Sequence, residues 1–261
     1  MATDPQTQDN VLFVTTPAPD PRSALIVNTY LDTDRLIGLV QPTVWFDRGI
    51  ETARRALEGA HAALINARYL ADLTTANRLQ RAVAAANDIV IAANHARSGN
   101  DHEMRVGVGM ALCIRTGRTA TMALVPPSQA LLFQGGTPTW CPRRESWVGD
   151  DPGLTGSPLG WTSNAQPTLV STVVDHSDEL LLTTSRVASI LARSESLPRS
   201  TAMCDQIATI KDDVDPVELI ALATRFEPPS VSGNIRSASR HMFGHVDRRA
   251  RAVWAAIRNP A

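Results

Sequence analysis

Residues 104–134 read MRVGVGMALCIRTGRTATMALVPPSQALLFQ, and their pattern decides the class of fold. Met104, Val106, Val108, Met110, Leu112 and Ile114 occupy every second position, the period of a half-buried strand. Strand-like runs at 119–125 and 130–134 follow, with Pro126-Pro127-Ser128 between them and Gly135-Gly136 closing the second. Three strands in succession with no helix between them describe a meander rather than a βαβ unit.

Upstream the period changes. Ile50, Ala53, Leu57, Ala60 and Leu64 recur at alternating steps of three and four, as do Leu79, Val83, Ala86, Val90 and Ala93. Each set lies along one face of a helix. Thr74 or Thr75 supplies the N-cap of the second helix, and Ser98-Gly99-Asn100 ends it. Before the helices, runs at 24–31 and 35–40 flank Asp32-Thr33-Asp34, the spacing of a hairpin. A short apolar run at 11–15 is closed by Pro17-Ala18-Pro19-Asp20-Pro21.

Downstream, a loop rich in Pro, Gly and Trp is expected at 137–163. Strands at 168–174 and 179–183 flank Asp175-His176-Ser177-Asp178, and helical segments fall around 187–193 and 215–225. Helices grouped early, then strands that do not alternate with helices, predict an α+β layered fold. The expected organisation is a flexible N-terminus at 1–10, a domain at 11–240 and a basic C-terminal helix or tail at 241–261.

The 261 residues are 43% hydrophobic and 20% charged, which suits a globular domain with a sizeable core and excludes disorder throughout. A formal net charge of -1 gives no reason to expect a polyanionic partner for the whole molecule. Cys113, Cys141 and Cys204 are widely spaced and form no CxxC, which fits reduced thiols better than a disulfide framework or a zinc site. The polar start MATDPQTQDN carries no signal pattern, and no apolar run approaches the roughly 20 residues that span a bilayer. The expected location is the cytoplasm, with no membrane partner.

Five segments carry a resemblance. They are LQRAVAAANDIV at 79–90, Gly107-Val108-Gly109-Met110, MALVPPSQALLFQG at 122–135, Ser157-Pro158-Leu159-Gly160, and LLLTTSRV at 180–187. In this order and at these spacings they resemble elements of the PP2C (PPM-type) metal-dependent protein phosphatases. The matching elements are the second helix, the Gly-x-Gly-Thr-Thr strand start, the strand, Gly-Asp-Ser and strand, the Leu-Gly element, and the Leu-Leu-Thr-Asp-Gly strand end. The resemblance spans roughly residues 24 to 240. It implies an αββα four-layer sandwich with two central antiparallel sheets.

In that family two Mg²⁺ or Mn²⁺ ions, held largely by aspartates, activate a water that attacks a phosphoserine or phosphothreonine. Hard cations take oxygen ligands, and anionic ones are needed to offset two dications in one cleft. Here the resemblance places Gln41 at the aspartate of the Asp-Gly motif, with Gly49 as a downstream glycine. Ser185 and Arg186 stand at the aspartate and glycine of Thr-Asp-Gly, and Pro127 at the aspartate of Gly-Asp-Ser. Gly233-Asn234 stands at the late Asp-Asn, after a helix expected at 217–224. Carboxylates about 4 Å apart repel by roughly 4 kcal/mol per pair at an effective dielectric near 20 unless a cation lies between them. A chain that gives up the cations therefore gains by shedding the whole set. The expectation is a catalytically inactive PP2C-like pseudophosphatase without metal, cofactor or catalytic residue. It would act as a protein-binding or regulatory module towards a protein partner that the sequence does not identify.

Other groupings read more plainly. Asp32 and Asp34, the ligands a divergent metal-dependent phosphatase could have relocated, read as polar residues at a hairpin tip. Asp101-His102-Glu103 are adjacent on an extended segment and point to opposite sides. His241 and His245 lack a third ligand. In Gly156-Ser157-Pro158-Leu159-Gly160 the serine sits one place early for a nucleophile elbow. Arg236, Arg240, Arg248, Arg249, Arg251 and Arg258 gather basic charge near the C-terminus. That tail makes an anion or nucleic-acid binder an alternative function, but it reads first as a helix packed on its own domain, and nucleic acid is not the expected partner.

Overall fold

The computed structural model describes residues 11–14, 25–67, 70, 73–96, 105–135, 137–143, 156–193 and 220–226. In chain order the elements are β1 (Val11–Val14), β2 (Ile26–Leu31), β3 (Asp34–Pro42), α1 (Asp47–Ala67), α2 (Thr75–His95), β4 (Val108–Thr116) and β5 (Thr119–Val125). They continue with β6 (Gln129–Gln134), β7 (Thr137–Cys141), β8 (Thr168–Val173), β9 (Glu179–Thr183), α3 (Ser185–Arg193) and β10 (Ala221–Arg225). The strands form two antiparallel five-stranded sheets, one in the order β2-β3-β4-β5-β8 and the other β1-β10-β9-β6-β7. We call them the β4 sheet and the β9 sheet.

The two sheets pack face to face. Alternation along the β9 sheet separates its two faces. Ala130, Leu132, Leu180, Leu182 and Leu222 join the core shared with the β4 sheet. Leu131, Leu181, Ala221 and Ala223 join Val187 and Leu191 of α3 on the other side. Helices α1 and α2 pack on each other and on β3 and β5, so the layers run α1/α2, β4 sheet, β9 sheet, α3. This is the α+β four-layer sandwich with two central antiparallel sheets that the sequence implies. Each leucine so buried contributes roughly 1.5–3 kcal/mol. Among the described residues no helix is long and apolar enough to cross a membrane.

Several expectations are corrected. β4 is not half-buried: residues 108–114 are all buried, because helices cover one face and the second sheet the other. The helix expected at 215–225, and with it the one at 217–224, gives way at its end to β10. Residues 220–223, Ile-Ala-Leu-Ala, are apolar without interruption because both faces of β10 are covered, and such a run carries no period of its own. The loop expected from 137 begins instead with β7, an edge strand hairpinned on β6. Its Pro138 is tolerated at a sheet edge and made the segment read as a loop. The expected N-terminus at 1–10 and tail at 241–261 lie outside the described residues.

Local chemistry holds the helical layer in place. Thr74 is the cap of α2: its hydroxyl accepts from the Asn77 N–H at 3.2 Å. Asp32 takes a φ of 59° in the turn between β2 and β3, and Arg78 of α2 pairs with Asp34 at 3.3 Å. Two asparagines on one face of α2 then grip the chain beneath. Asn94 accepts from the Val106 N–H at 3.1 Å and donates to the Val106 carbonyl at 3.0 Å. Asn87 accepts from the Gly160 N–H at 2.8 Å and donates to the Thr162 carbonyl at 3.0 Å. Gly160 itself has φ +87°, and a Cβ there would stand 2.3 Å from Val90 Cγ1.

Gly160→Ala should therefore destabilise the fold by about 2–5 kcal/mol, the sum of a left-handed backbone and a core collision. A urea melt measures this. An unchanged midpoint would mean that the 156–163 segment does not pack on α2 as described.

Candidate functional site

The site lies at one end of the sandwich, where β3 and β9 both finish. Gln41 is the penultimate residue of β3, paired in register with Gly109 of β4 and only 6% exposed. Across the gap, β9 ends at Thr183, Thr184 follows, and α3 starts at Ser185. The Gln41 carboxamide meets Ser185 twice. Its Oε1 accepts from the Ser185 backbone N–H at 2.9 Å, and its Nε2 donates to the Ser185 hydroxyl at 3.0 Å.

Neutral polar groups surround this contact. Ser128, Gln129, Thr183 and Thr184 are all buried. Gln129 pairs with Thr183 in register, and Ser128 and Thr184 lie one step further along the two strands. Ser128 shares the parity of Ala130 and Leu132, so its side chain faces the inter-sheet layer. Among the described residues its hydroxyl has no hydrogen-bond partner. The Pro126-Pro127-Ser128 turn settles onto β4 because position 109 has no side chain. A Cβ there would lie 2.6 Å from Pro127 Cδ and 2.8 Å from the Ser128 nitrogen.

Positions far apart in sequence thus converge. Gln41 and Ser185 touch, and Pro127 lies over Gly109, the cross-strand partner of Gln41. Gly233 and Asn234 lie outside the described residues, as do Asp101, His102, Glu103, His241 and His245. Asp32 and Asp34 are not at this site. Asp34 begins β3 and Gln41 almost ends it, which puts about 23 Å between them at roughly 3.3 Å per residue. Asp34 is moreover committed to Arg78.

Among the described residues the donors at the site are an amide and hydroxyls. The Gln41 amide and Ser185 already satisfy each other. Among the described residues no three His, Cys, Asp or Glu side chains stand close enough to hold a metal ion. Two dications require anionic oxygen ligands, so this donor set does not fit them. Ser185 Oγ accepts from the Gln41 amide N–H, and among the described residues Ser128 Oγ has no hydrogen-bond partner. The described thiols, Cys113 and Cys141, lie on β4 and β7. Burial pushes Cys113 up to about 12, far from the thiolate range at neutral pH.

Three of these residues (Gln41, Pro127 and Ser185) were visible in the sequence through motif positions. Gln129 and Thr183 were not, since a polar residue at a strand end carries no signal until its neighbours are known. Asn94 was missed too, although it repeats Asn87 at a helical spacing of seven.

No protein-family model matches the sequence, and no curated protein matches it. Solved structures do match the fold. The chain is similar to the serine/threonine phosphatase PstP/Ppp of Mycobacterium tuberculosis at 12% identity, covering 85% of this chain and 99% of that one, with a TM-score of 0.60. It is similar to the serine/threonine phosphatase Stp1 of Staphylococcus aureus at 12% identity, over 88% and 99% of the two chains, with a TM-score of 0.60. The PPM Ser-Thr phosphatase MsPP of Mycobacterium smegmatis, also 12% identical, covers 85% and 98% with a TM-score of 0.55. Likeness at this level of identity establishes the fold: the chain is built on the PPM-type phosphatase sandwich.

Gly109→Ala should cost about 1–3 kcal/mol, because the turn above β4 must lift to admit a methyl group. Ser128→Ala should be neutral or slightly stabilising, since it removes a buried hydroxyl that has no partner. Thermal melts of both variants check the pair. A costly Ser128→Ala would mean that the hydroxyl is bonded after all.

Proposed function

We propose that this chain is a catalytically inactive relative of the PPM-type phosphatases, a pseudophosphatase that serves as a protein-binding or regulatory module. One observation carries the reading: Gln41 and Ser185, at the positions the resemblance assigns to two metal-binding aspartates, are neutral and hydrogen-bonded to each other. A cleft that organises two dications would need several carboxylates. The described residues there offer an amide, hydroxyls and a proline. The partner in this reading is a protein, met through a fold kept after its chemistry was given up, and the buried thiols Cys113 and Cys141 suit the cytoplasm as its location.

Calorimetric titration of Mn²⁺ into metal-stripped protein, with a phosphopeptide hydrolysis assay on the same sample, tests this. The expected outcome is no stoichiometric binding and no turnover. Binding of two ions with hydrolysis would overturn the proposal and make the chain a divergent enzyme whose ligands come from other residues.

A further inference from the structure

Two layers of the sandwich meet at Gln41. It belongs to the β4 sheet, whereas Ser185 is the first residue of α3, the helix on the outer face of the β9 sheet. The first turn of a helix leaves backbone N–H groups without intrahelical partners. They are ordinarily capped by a side chain just before the helix. The Ser185 N–H is capped instead by an amide 144 residues away in sequence and in the opposite sheet. The same amide fixes the Ser185 hydroxyl. Around it the inter-sheet layer is built of Leu132, Leu180, Leu182 and Leu222, whose contacts have no direction. The far end of the sandwich is closed differently, by the Arg115 guanidinium 5.4 Å from the centroid of the Phe226 ring.

We infer that Gln41 and Ser185 form a latch that pins the N-terminus of α3 to the β4 sheet and closes this end of the sandwich without a cation. The amide makes two directional bonds to one residue, so it sets both the position of the helix start and the spacing of the two sheets beside it. Removing Gln41 leaves the half-buried Ser185 N–H without its cap. Removing only the Ser185 hydroxyl leaves the cap in place and loses one bond. The two substitutions must therefore act through one another. This inference stands on the geometry of the pair and goes beyond the non-catalytic reading.

The test is a double-mutant cycle on the full chain, read by thermal melting and by hydrogen exchange resolved to single helices. Gln41→Ala should lower Tm by about 4–8 °C, as expected for losing two bonds of roughly 1 kcal/mol each. Ser185→Ala should cost about half of that in the wild-type background and almost nothing once Gln41 is alanine. Exchange should accelerate in residues 185–193 and stay unchanged in 75–95. Additive melting shifts, or exchange that rises equally in α2 and α3, would overturn the latch. Should Gln41→Ala not fold, Ser185→Ala alone decides: faster exchange confined to α3 supports the latch, and unchanged exchange sinks it. Mn²⁺ binding would defeat the non-catalytic reading but leave these exchange patterns as expected, so the two failures are distinguishable.

Discussion

Everything in this molecule follows from packing two antiparallel sheets face to face while helices cover their outer sides. A strand at the centre of such a stack has no solvent face, so β4 is buried from Val108 to Ile114 and residues 220–223, leading through β10, are unbroken apolar sequence. Some polar groups inside find hydrogen-bond partners within the chain. Asn87 and Asn94 do so by bonding backbone groups of the segments under α2. At the ends of the stack the apolar layer runs out and polar side chains enter. There the choice of residue determines what kind of site can exist.

At the β3–β9 end the described residues that meet, Gln41, Ser128, Gln129, Thr183, Thr184 and Ser185, are neutral. Carboxylates crowded into a poorly solvated corner repel unless a cation lies among them. An amide against a hydroxyl and a backbone N–H needs no counter-ion, because each group supplies what the other lacks. Ser128 is the exception, a buried hydroxyl without a hydrogen-bond partner among the described residues.

Much of the architecture could be read from residues alone. Helices α1 and α2 announced themselves through steps of three and four, and β5 and β9 through short runs bounded by turn residues. What could not be read was where tertiary covering overrides pattern. β10 resembled a helix because covering both faces erases the period of two, and β7 resembled a loop because an edge strand can carry proline. The site was legible only in part. Motif positions pointed to Gln41, Pro127 and Ser185, but nothing in their spacing says that an amide 144 residues away caps a helix. That contact exists only because two sheets stack in one register. Gly233 lies outside the described residues.

The same geometry explains why the neutral state is self-maintaining. An aspartate at position 41 would be one methylene shorter than Gln41, too short to keep both bonds to Ser185, and would be an anion at a position 6% exposed. Without a cation its burial is costly, and without a second carboxylate at 185 no cation is held. An aspartate at 185 alone would meet the Gln41 amide, which can donate to it, but would still lack the partners that bind two ions. A first step towards a charged site at position 41 thus loses an interaction before any cation can be gained. The residues at the β3–β9 corner are coupled, and the hydrogen bonds between Gln41 and Ser185 are the form that coupling takes.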